Sequence, residues 1–188
     1  MASVFQRDKI KGMFAAFDVN GDGYLQRDDF EALVVRWSRL PRVAAGAELR
    51  ATLEAVLMGW WESLLAHGDA NGDGRVDLDE LLALVDELPG MVAAVSTTAD
   101  TIFDAVDENG DGRISHSEHQ RLVETWNGQS VDTDGIFDLL DLDGDGYLSR
   151  SEFALLWVQF WISDDPAEPG NLLCGRIPGQ RHADALEG

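Results

Sequence analysis

Apolar residues recur at helical spacing on either side of four polar gaps. Ile10, Phe14 and Phe17 precede the first gap, and Phe30, Leu33, Val34 and Trp37 follow it. The second lies between Leu53, Val56, Leu57, Trp60, Trp61, Leu64 and Leu81, Leu82, Val85, Leu88. Ile102, Phe103 and Val106 lead into the third, with Leu122, Val123 and Trp126 beyond. Ile136, Phe137 and Leu140 flank the fourth, answered by Phe153, Leu156, Trp157, Phe160 and Trp161. A period of three to four marks amphipathic helices. The expected fold is therefore all-α, with eight helices in four hairpins, the first paired with the second and the third with the fourth. Pro41 and Val43 to Ala47 mark a longer link between the first two hairpins. At Pro89-Gly90 the chain loses a donor and gains freedom, so no continuous central helix is expected and the halves should fold against one another. The expected units are residues 1–88, residues 89–163 and a tail, 164–188. In that tail Pro166, Pro169 and Pro178 argue against a helix, while Leu172, Leu173 and Ile177 favour a segment folded back over the core. Gly179 to Gly188 reads as flexible.

The gaps are where the chemistry lies. Four 12-residue stretches, Asp18 to Asp29, Asp69 to Glu80, Asp107 to Glu118 and Asp141 to Glu152, repeat one order of oxygen-bearing side chains. Positions 1, 3 and 5 hold Asp18, Asn20 and Asp22, then Asp69, Asn71 and Asp73, then Asp107, Asn109 and Asp111, then Asp141, Asp143 and Asp145. Position 6 is glycine each time: Gly23, Gly74, Gly112 and Gly146. Position 7 would contribute a backbone carbonyl, from Tyr24, Arg75, Arg113 and Tyr147. Gln26, Asp77, Ser115 and Ser149 stand at position 9. Asp29, Glu80, Glu118 and Glu152 close the loops. Ca²⁺ is a hard cation that takes about 6–8 oxygens, and this spacing is how an EF-hand loop supplies them. Position 8 is always apolar (Leu25, Val76, Ile114, Leu148), as the short antiparallel contact between paired loops requires. Divalent-cation binding is the expected chemistry, with three to four Ca²⁺ ions.

Asp29 departs from the pattern. It is one methylene shorter than Glu, so binding through both oxygens needs a tighter loop. With one oxygen bound, coordination falls toward six, which Mg²⁺ accepts. The Asp18 to Asp29 loop is thus expected to be weaker for Ca²⁺ or to hold Mg²⁺. Loops two and four carry the most carboxylate ligands, four each. Charge count favours them, but crowding and rigidity can reverse the order.

Composition narrows the function. Of 35 acidic residues against 14 basic ones, 17 lie in the four loops, so much of the net charge of −21 sits where cations would offset it. An acidic chain of this kind is a poor nucleic-acid binder. The single Cys174 cannot form an intrachain disulfide and suits a reducing compartment. Met1 to Lys11 is polar, no apolar run is long enough to span a bilayer, and Ala2 excludes an N-myristoyl anchor. A cytoplasmic monomer with no membrane partner is expected, and a protein partner stays open. Six Trp and eight Phe against four Met favour a fixed core over an adaptable, Met-rich groove. No phosphate-cradling loop, nucleophile elbow or zinc spacing is present, so no enzyme chemistry is expected. His116 and His119 lie three apart on a helix and read as solvated surface.

The whole chain resembles the sarcoplasmic calcium-binding proteins, particularly bacterial members of the calerythrin type, with photoproteins and luciferin-binding proteins as more distant relatives. The likeness rests on four hands, a long first linker, Asp29, and a tail running from Phe160-Trp161-Ile162-Ser163-Asp164-Asp165-Pro166 to Gly175-Arg176-Ile177-Pro178. It implies compact packing of the two halves and a buffering role. Some relatives lack one working site, often the second, whereas Asp69 to Glu80 is intact here. Photoproteins carry a His and a Tyr at the positions of Trp157 and Cys174, so light emission is not expected. A cytosolic calcium buffer or transport protein is the leading reading. The alternatives are a calcium sensor acting on a protein partner, or a carrier of a small apolar ligand.

Overall fold

The computed structural model describes residues 3–84 and 92–176; Pro89-Gly90, Val85, Leu88, Ile177, Pro178, His182 and Gly179 to Gly188 lie outside the described residues. Helix α1 (Val4–Phe17), strand β1 (Tyr24–Leu25) and α2 (Arg27–Trp37) form the first hand. After α3 (Pro41–Ala45), the second comprises α4 (Ala47–Gly68), β2 (Val76–Asp77) and α5 (Leu78–Leu84). The third runs through α6 (Val92–Val106), β3 (Arg113–Ile114) and α7 (His116–Asn127). The fourth is α8 (Phe137–Leu140), β4 (Leu148–Ser149) and α9 (Arg150–Ile162), and a 3-10 turn follows at Pro169–Leu172.

The mainly helical fold and its paired loops match the expectation. Two details differ. The linker after the first hand forms a helix of its own, α3, with Pro41 at its first turn, where a missing N–H costs nothing. The helix entering the fourth loop is a single turn, because Gly135, with φ +70°, sits just before it.

The paired loops meet at position 8. Leu25 lies opposite Val76 in one two-stranded sheet, and Ile114 opposite Leu148 in the other. All four are fully buried, so each pair of loops is pinned to the core by its own midpoint. The halves then share one core. Phe17 meets Trp126 at 5.1 Å between ring centroids, and Trp60 stacks on Trp157 at 6.2 Å. Arg36 of α2 donates to the carbonyl of Trp126 in α7 at 3.2 Å.

The C-terminal segment lies on this core. Leu173 and Cys174 are buried, and Asn127 Nδ2 donates to the Cys174 carbonyl at 3.0 Å. Gly170 approaches α9 so closely that a Cβ would fall 2.5 Å from the Leu156 carbonyl, so no larger residue fits. Lys9 of α1 reaches across to donate to the Ser163 carbonyl at 2.6 Å and to Asn171 Oδ1 at 3.0 Å. Burial pushes its ammonium down to about 8, opposed by the nearby Asp164 carboxylate.

His119 corrects the surface reading of the two histidines. His116 is exposed, but His119 is fully buried, its Nε2 3.0 Å from the Leu173 carbonyl. Burial pulls its pKa down to about 4, so the ring is neutral at pH 7 and donates through Nε2. Its partner lies 54 residues away, which helical spacing alone could not reveal.

Candidate metal centres

Each loop begins where a helix ends. The N–H of Asp18 closes the last turn of α1 on Phe14 at 2.8 Å, and Asp107 and Asp141 do the same on Phe103 and Phe137. The side chain of the same residue then organises the turn. Asp18 Oδ1 accepts the N–H of Gly21 at 2.8 Å and Oδ2 that of Gly23 at 2.9 Å. The pattern repeats at Asp69 with Gly72 and Gly74, at Asp107 with Gly110 and Gly112, and at Asp141 with Gly144 and Gly146. The position-6 glycines have φ between +80° and +87° with open space around them, so backbone conformation and not crowding demands glycine there.

The remaining donors follow in register. Position 3 accepts the position-5 N–H, at 2.8 Å in the first three loops and 3.2 Å in the fourth. Position 5 accepts the position-7 N–H from Tyr24, Arg75, Arg113 and Tyr147. The closing carboxylate reaches back over the loop. Glu118 Oε1 accepts the Glu108 N–H at 2.9 Å, and Oε2 accepts the Ser115 N–H at 2.8 Å. Glu80 and Glu152 do likewise. Asp29 achieves the same pattern on its shorter arm, with Val19 on Oδ1 at 3.0 Å and Gln26 on Oδ2 at 2.9 Å. It is 1 % exposed, and burial lifts its carboxyl above the ordinary range against the hydrogen bonds from Gln26, Asn20 and Val19. Ser115 and Ser149 also cap α7 and α9, so positions 9 and 12 start the exit helices as well as closing the loops.

The donor set suits a hard cation. Asp141, Asp143 and Asp145 bring three carboxylate oxygens within 4.8 Å of one another, an arrangement of like charges that a divalent ion would relieve. Asn20, Asn71 and Asn109 supply neutral oxygens at the equivalent position of the other loops.

Two features of the loops went unread in the sequence. Position 4 is glycine throughout (Gly21, Gly72, Gly110, Gly144), with φ from +71° to +75°, and the repeated Gly-x-Gly was the signal. The position-7 side chains also pair across the sheets. The Arg75 guanidinium sits 4.1 Å over the Tyr24 ring and Arg113 4.3 Å over Tyr147. The order Tyr, Arg, Arg, Tyr along the chain gives each loop pair one of each.

The family model for the EF-hand domain pair matches residues 7–86 and 97–157. The chain belongs to the EF-hand family. It is a calcium-binding protein of that family and not an enzyme. Over 185 residues this EF-hand protein is 25 % identical to sarcoplasmic calcium-binding proteins II, V, VI and VII of Branchiostoma lanceolatum, covering 93 % of this chain and 98 % of the relative. Its fold is similar to that of a sarcoplasmic calcium-binding protein from amphioxus, with a TM-score of 0.73 at 24 % identity, covering 95 % of this chain and 100 % of that one. A Streptomyces coelicolor calcium-binding protein is similar with a TM-score of 0.68 at 22 % identity, over 85 % of this chain and 99 % of that one. No helix among the described residues is long and apolar enough to cross a membrane.

Proposed function

We propose that this EF-hand protein is a calcium buffer that takes up three to four Ca²⁺ and holds them in a closed, single-core molecule. The ligands are Asp18, Asn20, Asp22, the Tyr24 carbonyl and Asp29; Asp69, Asn71, Asp73, the Arg75 carbonyl and Glu80; Asp107, Asn109, Asp111, the Arg113 carbonyl and Glu118; Asp141, Asp143, Asp145, the Tyr147 carbonyl and Glu152. Residues 1–88 and 89–163 act as the two paired units, with 164–188 as a tail. The molecule works as a monomer in the cytoplasm, where Cys174 stays reduced.

One observation carries the buffering role. The rings of Trp126 on α7 and of Trp157, Phe160 and Trp161 on α9 pack against one another at 5.4 to 6.3 Å between centroids, joining the exit helices of the third and fourth hands in one aromatic block. Interlocked aromatic rings have few alternative packings, unlike a Met-lined groove. Fluorescence of a hydrophobic-surface dye in metal-free, Mg²⁺ and Ca²⁺ solutions, with circular dichroism alongside, tests this reading. Emission that is highest without metal and falls as helix content rises supports the buffer. Emission that is highest with Ca²⁺ at constant helix content would replace it with a sensor.

Site I is the Mg²⁺ candidate. Its closing carboxylate is already drawn to the loop through three N–H bonds on a short arm, leaving little slack to widen for a larger ion. Asp29→Glu should raise the Ca²⁺-over-Mg²⁺ preference of this site about tenfold, measured by Ca²⁺ titration at fixed Mg²⁺. Unchanged selectivity would refute the assignment.

A further inference from the structure

Position 1 is treated differently in loop III. Asp18, Asp69 and Asp141 each accept N–H groups of their own loop, at positions 4, 5 and 6. Asp107 accepts those of Gly110 and Gly112, and a guanidinium besides. Arg42, from α3 in the linker of the other half, donates through Nη1 to Asp107 Oδ2 at 3.0 Å and to the Asp107 carbonyl at 2.9 Å. The Asp107 side chain is 2 % exposed and that of Arg42 35 %, so the carboxylate is shielded from water while the guanidinium keeps one side in it. A Cβ at Gly110 would lie 3.9 Å from Arg42 Cζ, which places the cation against the loop itself.

We propose that Arg42 is a built-in counter-cation of site III, which sets the calcium affinity of that site and ties its filling to the linker between hands I and II. The proposal rests on loop III being a calcium site. A guanidinium keeps its charge at every accessible pH. In the metal-free loop it offsets the crowding of Asp107, Glu108, Asp111 and Glu118. With Ca²⁺ bound it would stand close to a like-signed ion that draws on the same Asp107 side chain. It therefore stabilises the empty loop more than the filled one, and site III is weaker than its ligand count alone would make it. Coupling is reciprocal: whatever Arg42 takes from calcium affinity, calcium takes from the hold of Arg42 on Asp107. Because α3 packs on both α4 and α6, occupancy of a site in the C-terminal half is felt in the linker of the N-terminal half.

The test is calcium titration by calorimetry of the full chain and of Arg42→Gln, each also in a Glu118→Gln background that disables site III. Arg42→Gln should tighten one site by about three- to tenfold, the size expected for removing a unit charge several ångströms from the ion. In the Glu118→Gln background it should change nothing. Arg42→Lys, which keeps the charge, should stay close to the parent. Should the metal-free variant be poorly folded, release of Ca²⁺ into a chelator from loaded protein gives the same answer, as one ion leaving about three- to tenfold more slowly. Amide exchange over Pro41–Ala45 should quicken when calcium fills site III, and not in Glu118→Gln. An Arg42→Gln variant that fills site III with unchanged affinity and release overturns the proposal. Failure of the parent chain to take up calcium at all would instead overturn the calcium reading on which it rests.

Discussion

Removing calcium should lower the thermal unfolding midpoint of this protein by roughly 20–40 °C. A ligand that binds only the folded state stabilises it by mass action, about 2.7 kcal/mol per site at a hundred times Kd. Four such sites contribute about 10 kcal/mol, and a chain of this size shifts by about 2–4 °C per kcal/mol. The electrostatics act in the same direction. Seventeen acidic side chains lie in the four loops, and without cations those of one loop repel one another at short range. Buried Asp29, whose carboxyl is already lifted by burial, sits among them. Calorimetric scans in chelator and in excess Ca²⁺ measure the effect directly. A shift of only a few degrees would mean that the loops are held by their internal hydrogen bonds alone and that calcium plays little part in stability.

The second large effect is expected at Trp157. It is fully buried, its indole N–H donates to Thr98 Oγ1 at 3.0 Å, and its ring contacts Trp60, Trp126, Phe153, Phe160 and Trp161. Trp157→Ala would leave a cavity in the middle of the aromatic block, with neighbours too interlocked to fill it. A loss of about 3–5 kcal/mol is expected in urea unfolding of the calcium-loaded protein. Trp157→Phe keeps a ring in place. Thr98 remains satisfied through the Val95 carbonyl, to which its hydroxyl donates at 2.7 Å, so the loss should be about half as large or less. A loss below 1 kcal/mol for Trp157→Ala would show that the block is loosely packed, and the argument for a closed buffer would weaken with it.

The loops were legible because their chemistry is local. Twelve consecutive residues fix the donor order, and the position-8 residues declare the pairing of Leu25 with Val76 and Ile114 with Leu148. What stayed hidden depends on partners far along the chain. His119 reads as polar surface until Leu173 covers it, and nothing in the linker sequence ties Arg42 to Asp107, 65 residues on. Lys9 did leave a trace: it falls four residues before Met13 and seven before Ala16, on a buried stripe of α1. The stripe was readable, but nothing in the sequence named Ser163 and Asn171 as the acceptors waiting for the ammonium.

That clasp carries a timetable. Lys9 and Asn171 are separated by 162 residues, and at a synthesis rate of about 5–20 residues per second the second leaves the ribosome roughly 8–30 s after the first. Throughout that interval the Lys9 ammonium is in water, the pairing of the first two hands is already able to form, and the seat of Leu173 on the C-terminal half is bare. Forming the clasp is therefore a dehydration: a hydrated cation gives up its water to a carbonyl and an amide made long after it. A nascent chain that has emerged only as far as residue 162 would expose every calcium loop and still lack both acceptors of its closure, and that is when its apolar face is most open to a chaperone or to a second copy of itself.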